Sequence, residues 1–332
     1  MSSASGQAPS AMRVAAAFTT VYLVWGSTYF FIRLSVEHIP PMLVGALRYA
    51  FAGLLMLLWC VVSGEKIFSW RAIRPAIVSG LLLLVGGNGA LIWAEQYVPS
   101  SLAAILLASG PIWFVVLDRK MWKENFSSKA TISGLIVGSA GVLLLFGEQL
   151  FSGPAADAAH AGNKGMIALV LLVLASISWA AGSLYSKYKA AGNSNVVNAG
   201  WQMTAAGVCF IACSGVSGEW NAFRAQDVPV SSWLAVAYLV TMGSLVAYSA
   251  FTWLLQVRPA AQVSTHAYVN PVVAVLLGVV FAGERLSWLQ FLGLTVILLS
   301  VLLINSTKYR LDPGFGLRGR TRKRAIIPDA TK

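Results

Sequence analysis

The sequence predicts an all-α membrane protein, with ten transmembrane helices arranged as two inverted five-helix repeats around a central cavity. Three observations carry this. Only 11% of the 332 residues are charged while 57% are hydrophobic, and the mean hydropathy is +0.71. Charge-free windows long enough to cross a bilayer recur along the chain. Identities reappear when the sequence is shifted against itself by 160 residues.

A soluble domain carries about a quarter of its residues as charges; this chain carries too few to coat a water-facing surface. A helix crossing ~30 Å of hydrocarbon needs ~20 residues, and an ionised group at the bilayer centre costs at least about 2.5 kcal/mol. Windows without a charge run Val14–Ile32, Pro75–Ala94, Gln96–Leu117, Ala130–Gly147, Gly165–Ser186, Ala190–Gly218, Val228–Val257, Pro259–Gly283 and Leu286–Thr307. A tenth, Met42–Val62, is interrupted only by Arg48. They read as helices, which satisfy their own backbone in lipid. The first residues carry no charge before Arg13 and lack a signal-peptide pattern, so 1–13 is expected to remain as a tail ahead of a retained first span.

Charge sets the orientation. With the N-terminus in the cytoplasm, Arg13, the loops after the even spans and the C-terminal tail hold 19 of the 24 Lys and Arg. The outward loops hold Lys164, Arg224 and Arg285. That bias follows the positive-inside rule and places both termini in the cytoplasm. The net charge of +12 therefore implies no nucleic-acid partner.

At a shift of 160, Trp93 matches Trp253, Gln96 Gln256, Pro99 Pro259, Pro111 Pro271, Glu124 Glu284 and Ser127 Ser287. Trp25-Gly-Ser-Thr-Tyr29 also faces Trp179-Ala-Ala-Gly-Ser183 with Tyr185. The expected organisation is a repeat over 14–148, a polar linker 149–164, a second repeat over 165–307, and a basic tail 308–332. Five spans is odd, so the second copy enters the membrane from the opposite side. Secondary transporters use this plan, with the substrate site at the repeat interface near mid-membrane.

The runs Val24-Trp-Gly-Ser-Thr-Tyr-Phe30, Leu47-Arg48-Tyr49, Ala267-Tyr-Val-Asn-Pro271 and Gly283-Glu284-Arg-Leu286 resemble the ten-helix EamA-type branch of the drug/metabolite transporter superfamily, over nearly all of Val14–Asn305. The resemblance implies a basket of helices around a cavity in the plasma (bacterial inner) membrane. It also implies export of amino acids or related amphiphilic metabolites, with membrane lipid and a small-molecule substrate as partners and no cofactor. Monomer and homodimer remain open.

Candidate cavity residues follow from position. Trp25 and Trp179 lie mid-span, unlike interfacial tryptophans near span ends such as Trp93 and Trp253. Ser27, Thr28, Tyr29 and Tyr185 follow them, and Tyr248, Tyr268 and Asn270 can join the same wall; helix packing is the rival reading. Asn88 sits among Gly86, Gly87 and Gly89, which should loosen the third span. Pro111 and Pro271 each free a carbonyl four residues back, at Leu107 and Ala267, either as packing kinks or as cavity lining. Arg48 either snorkels to headgroups or faces the cavity. His266 is the ionisable group of the ninth span, a hydrogen-bonding packer or a proton carrier.

Other features read as structural. Glu124 and Glu284 precede the serines expected to cap the fifth and tenth helices, Ser127 and Ser287. Gly134 and Gly138 permit close helix approach. Cys60, Cys209 and Cys213 have no metal or redox spacing and read as small apolar packers. No acidic pair, nucleophile–base set or metal motif for an intramembrane enzyme appears, and no charge ring or carbonyl filter for a channel. Without a mid-membrane Asp or Glu, facilitated diffusion is expected ahead of coupling through His266.

Overall fold

The structure is a computed structural model and describes residues 9–94, 96–98, 100–147, 162–189, 194–282 and 287–306. Glu284, most of the expected linker and the basic tail lie outside these residues. Among the described residues the secondary structure is entirely helical.

The first half contributes α1 (Ala11–Val36), α2 (Pro41–Val62), and α3, which runs Trp70–Gly80, Leu81–Gly89 and Ala90–Ala94. It continues with α4 (Ser100–Leu107), α5 (Gly110–Leu117), α6 (Trp122–Ser127) and α7 (Lys129–Leu145). The second half contributes α8 (Gly162–Lys189), α9 (Asn195–Val216), and α10, which runs Val230–Tyr238, Leu239–Ala247 and Tyr248–Val257. It ends with α11 (Ala260–Val263), α12 (His266–Ala282) and α13 (Trp288–Ser306).

Seven helices are long and apolar enough to cross a membrane, or eight if the pair Arg119–Ser127 and Lys129–Leu145, bent by 89°, is one span. The sequence expected ten. The difference has a local cause: the fourth window breaks between α4 and α5, and the ninth between α11 and α12. Pro111 sits in the first turn of α5, where a proline's missing N–H costs nothing. The expected break at Pro271 falls elsewhere. Pro271 lies inside α12, and the chain breaks earlier, at Ser264 and Thr265.

Helices α3 and α10 each carry a nine-residue π-helical stretch, Leu81–Gly89 and Leu239–Ala247. Such wide turns are uncommon and gather at functional sites. Helices α2 and α9 are both 22 residues long, and each ends on a serine followed by a left-handed glycine, Gly64 (φ 74°) and Gly218 (φ 76°). After α2 the Gly64 amide bonds the Val61 carbonyl and the Glu65 amide the Cys60 carbonyl, closing the helix end.

Packing is tightest where glycines let backbones meet. A Cβ at Gly53 would stand 2.6 Å from the Thr204 nitrogen, and one at Gly207 2.6 Å from the Ala50 nitrogen, so α2 and α9 touch main chain to main chain. Helices α7 and α13 pair similarly, with Gly293 against Leu145 and Gly134 against Ile304. The helix caps hold the ends. Glu219 reaches across from the second half to accept from the Met42 and Leu43 amides at 3.2 and 2.9 Å, where a carboxylate also meets the positive end of the α2 dipole. The cap expected at Ser127 is one residue on: Ser128 Oγ accepts from the Thr131 amide, while Ser127 ends α6 and Glu124 stands exposed in its first turn. Ser287 caps α13 in a reciprocal pair with Gln290.

Candidate functional site

A cavity opens between α1, α2, α3, α5, α8, α10 and α12. Helical spacing explains which candidates reach it. Along α1 the lining residues are Trp25, Thr28, Tyr29 and Ile32, one stripe at intervals of three and four. Ser27 is turned away and its hydroxyl lies 2.7 Å from Tyr238 Oη. On α12 the lining residues are His266, Ala267 and Asn270. Tyr268 therefore points elsewhere; its hydroxyl donates to the Leu135 carbonyl at 3.2 Å, in the α7–α13 core. On α8 the stripe is Ala175, Ser176 and Trp179, and Tyr185 lies off it. Arg48, Asn88 and Tyr248 line the cavity. Tyr49, Phe114, Ser176 and Ser244 do so too, and sequence reasoning missed them.

Both π stretches face this space, through Leu84, Gly87 and Asn88 on α3 and through Gly243 and Ser244 on α10. The wide turn on α10 leaves the Gly243 carbonyl to accept from Trp25 Nε1 at 3.1 Å. Leu107, four residues before Pro111, ends α4 with its carbonyl on the cavity wall, where Ser176 Oγ donates to it at 3.5 Å.

Arg48 does not snorkel. It is 6% exposed, and its Nε donates to Ser244 Oγ at 3.0 Å. Its guanidinium carbon lies 5.0 Å from the Tyr49 ring centroid. Among the described residues no carboxylate pairs with it.

An aromatic cluster forms one wall. Trp25 lies 4.9 Å from Phe251, 5.0 Å from His266 and 5.5 Å from Trp179, centroid to centroid. Several buried polar atoms here have no partner: both His266 ring nitrogens, Trp179 Nε1, Asn270 Oδ1 and Tyr49 Oη. An unpaired buried polar atom costs about 1–3 kcal/mol. All five atoms belong to four residues that line the cavity, His266, Trp179, Asn270 and Tyr49. The arrangement offers hydrogen bonds, one fixed positive charge and aromatic faces; it has no nucleophile–base pair. Among the described residues no three His, Cys, Asp or Glu side chains gather to hold a metal.

The bundle has a basic end, where α2, α5, α8 and α10 finish, and a far end opposite. The lining residues of α2 (Arg48, Tyr49) and of α3 (Leu84, Gly87, Asn88) lie in the parts of those helices away from the basic end. Between the aromatic wall of the cavity and the basic end come the buried side chains of Leu184, Leu254 and Leu255, then a polar clasp. Tyr188 Oη donates to Asp118 Oδ1 at 2.6 Å, joining the end of α8 to the end of α5. Lys187 Nζ donates to the Leu255 and Arg258 carbonyls at the end of α10, at 2.7 Å for the latter. Lys120 Nζ sits 4.1 Å from the Tyr188 ring centroid. Burial pushes the Asp118 carboxyl above the usual carboxylate range, against the hydrogen bond from Tyr188 and the charge of Lys187.

Known proteins match this chain over most of its length. A crystal structure of another protein superposes with a TM-score of 0.70 at 19% identity, covering 89% of this chain and 96% of that one, which establishes a shared fold. An uncharacterized inner membrane transporter, YedA, of Escherichia coli (strain K12) is 36% identical over 295 residues, 88% of this chain and 90% of that protein. A probable amino-acid metabolite efflux pump of the same organism is 24% identical over 315 residues, 90% of this chain and 94% of that protein. The model of the EamA-like transporter family matches twice, at residues 12–147 and 166–306. Covered by that model in both halves, the chain belongs to the EamA-like transporter family and is a transmembrane transporter of the drug/metabolite kind.

Proposed function

We propose that the protein exports small metabolites, amino acids or amphiphilic compounds, from the cytoplasm by alternating access. The observation that carries this is the cavity with its aromatic wall and the unpartnered polar atoms of its lining residues, together with the Asp118–Tyr188–Lys187 clasp that ties the ends of α5, α8 and α10 at the basic end. The positive-inside bias supports a cytoplasmic basic end with both termini on that side.

The same reading counts ten spans in two inverted five-helix repeats, 14–148 and 165–307. Swapped packing supports it. Helix α1 packs on α10 and α12 of the other half, while α8 packs on α3, α4 and α5 of the first. The pair α2–α9 is self-complementary: Gly53 meets Thr204 and Gly207 meets Ala50, the same two positions under a shift of 154. The two family matches, 12–147 and 166–306, have nearly the proposed bounds. Export as the direction is supported by the relative named as a probable amino-acid metabolite efflux pump.

Transport in right-side-out and inside-out vesicles tests the reading, with amino acids, purines and cationic drugs as solutes, with and without a pH step. Trp25→Ala and Trp179→Ala should weaken flux at near-normal abundance, and His266→Gln should keep most of it. Uphill accumulation driven by a pH step and abolished by His266→Gln would replace uniport with proton coupling.

A further inference from the structure

We propose that the solute is an organic anion: one carboxylate, held by Arg48, on an aromatic or bulky apolar body. The proposal rests on the transport reading of this cavity and narrows its substrate class.

Among the described residues lining the cavity, Arg48 is the one formally charged side chain and none is Asp or Glu. A guanidinium buried without a counter-ion is costly, and a ligand carboxylate removes that cost. The geometry leaves the group ready for it. Ser244 takes the Nε hydrogen and the Tyr49 ring covers one face, which fixes the plane. Gly243 keeps the outer edge clear, since a Cβ there would lie 3.2 Å from Nη2. The two terminal nitrogens are thus left for a bidentate carboxylate.

The unpartnered atoms serve the rest of the solute. Trp179 Nε1 is a donor and Asn270 Oδ1 an acceptor, suited to a hydroxyl or neutral amide, while the rings of Trp25 and Trp179 on the cavity wall suit an aromatic body. Among the described residues an ammonium finds no carboxylate partner on this wall, and Arg48 repels it. A zwitterion therefore binds less well than the matching acid, and an amine less well again.

The positive charge is specific to this side of the molecule. Under the shift of 154 that relates α2 to α9, Arg48 corresponds to Gln202, a buried and neutral residue. Gln202 is saturated: its Nε2 donates to Ser79 and Ser186, and its Oε1 accepts from Tyr248.

The test uses three probes with one aromatic body: 3-phenylpropionate, phenylalanine and 2-phenylethylamine. Binding to the full chain in lipid nanodiscs is read by calorimetry at neutral pH, and flux of each probe is measured in proteoliposomes. The acid should bind about tenfold or more tighter than the zwitterion, with the amine weaker still. Arg48→Gln should lose about tenfold or more for the acid, as expected for one charge-assisted pair, and leave the amine unimproved or better bound. Should Arg48→Gln fail to fold, judged by its melting curve, Ser244→Ala and the probe order decide. Amine binding equal to the acid, binding of none of the probes, or an unchanged acid affinity in the folded variant overturns the proposal. Acid binding without flux of any probe would instead overturn the transport reading and leave the anion site standing.

Discussion

Replacing Tyr188 by Phe removes the 2.6 Å hydrogen bond to Asp118 and keeps the ring that lies 4.1 Å from Lys120. A hydrogen bond to a charged group contributes about 1.5–3 kcal/mol. Tyr188 is only half-buried, so the lower part of that range applies. At about 1.4 kcal/mol per decade, the latched form loses about tenfold against the form open at the basic end. Leu254 reports on that opening, because it is fully buried between the aromatic wall and the clasp. In a background with Cys60, Cys209 and Cys213 replaced by Ser, Leu254→Cys is exposed to an impermeant maleimide in inside-out vesicles. When opening is a rapid pre-equilibrium, the alkylation rate follows the open population. It should rise about tenfold in Tyr188→Phe and stay unchanged in Tyr22→Phe, which alters a tyrosine elsewhere in the bundle. Equal rates in Tyr188→Phe and its parent, with matched melting curves, would refute the clasp as an inner gate.

Acid should tighten the same gate. Burial raises the Asp118 carboxyl in the latched form, beside Lys187, Lys120 and Tyr188, so the latched form holds its proton more tightly than the open one. Lowering the pH toward that raised value favours latching, and raising it through that value removes the advantage. Alkylation of Leu254→Cys, corrected for thiol ionisation, should therefore speed up with pH, and Asp118→Asn should flatten the slope. Gly207→Leu forces a side chain against Ala50 main chain and should destabilise the bundle by about 1–3 kcal/mol or more, read as a lower melting temperature in detergent. Cysteines at Glu37 and Gln226 should react with an impermeant reagent applied outside cells, and ones at Ser63 and Lys123 should not; reversed labelling would invert the orientation.

The membrane class and much of the cavity were legible because both depend on local rules. Charge-free windows need only composition, and the stripe Trp25, Thr28, Tyr29 needs only helical spacing. The glycines around Asn88 signalled the loosened third span, whereas its counterpart on α10 has only Gly243 and gave no warning. Ser27, Tyr185 and Tyr268 were chosen by type and neighbourhood; their angle around the helix excluded them. Ser244 and the Asp118–Tyr188 bond were invisible, since partners 196 and 70 residues apart leave no local pattern. The likeness of α2 and α9 follows the shift of 154 that also relates Trp25 to Trp179, not the shift of 160 that relates the later spans. The connection from α9 to α10 is six residues longer than that from α2 to α3, which changes the shift from 154 to 160. The count by length departs from the expected ten at the fourth and ninth windows, where the helices break.

The lone charge of Arg48 has an electrical consequence. A zwitterion crosses the membrane without moving net charge, so its export gains nothing from the membrane voltage. A monoanion leaving a cell whose interior is negative is carried by that voltage, at about 2.3 kcal/mol per elementary charge for each 100 mV. That work sustains an outside-to-inside concentration ratio of about fiftyfold. A carrier selecting such a solute through Arg48 needs no proton or sodium ion to export uphill, which agrees with spans that hold no Asp or Glu at mid-membrane. The guanidinium would then choose the energy source as well as the cargo, and collapsing the voltage with a potassium ionophore should halt concentrative export even with the pH held equal on both sides.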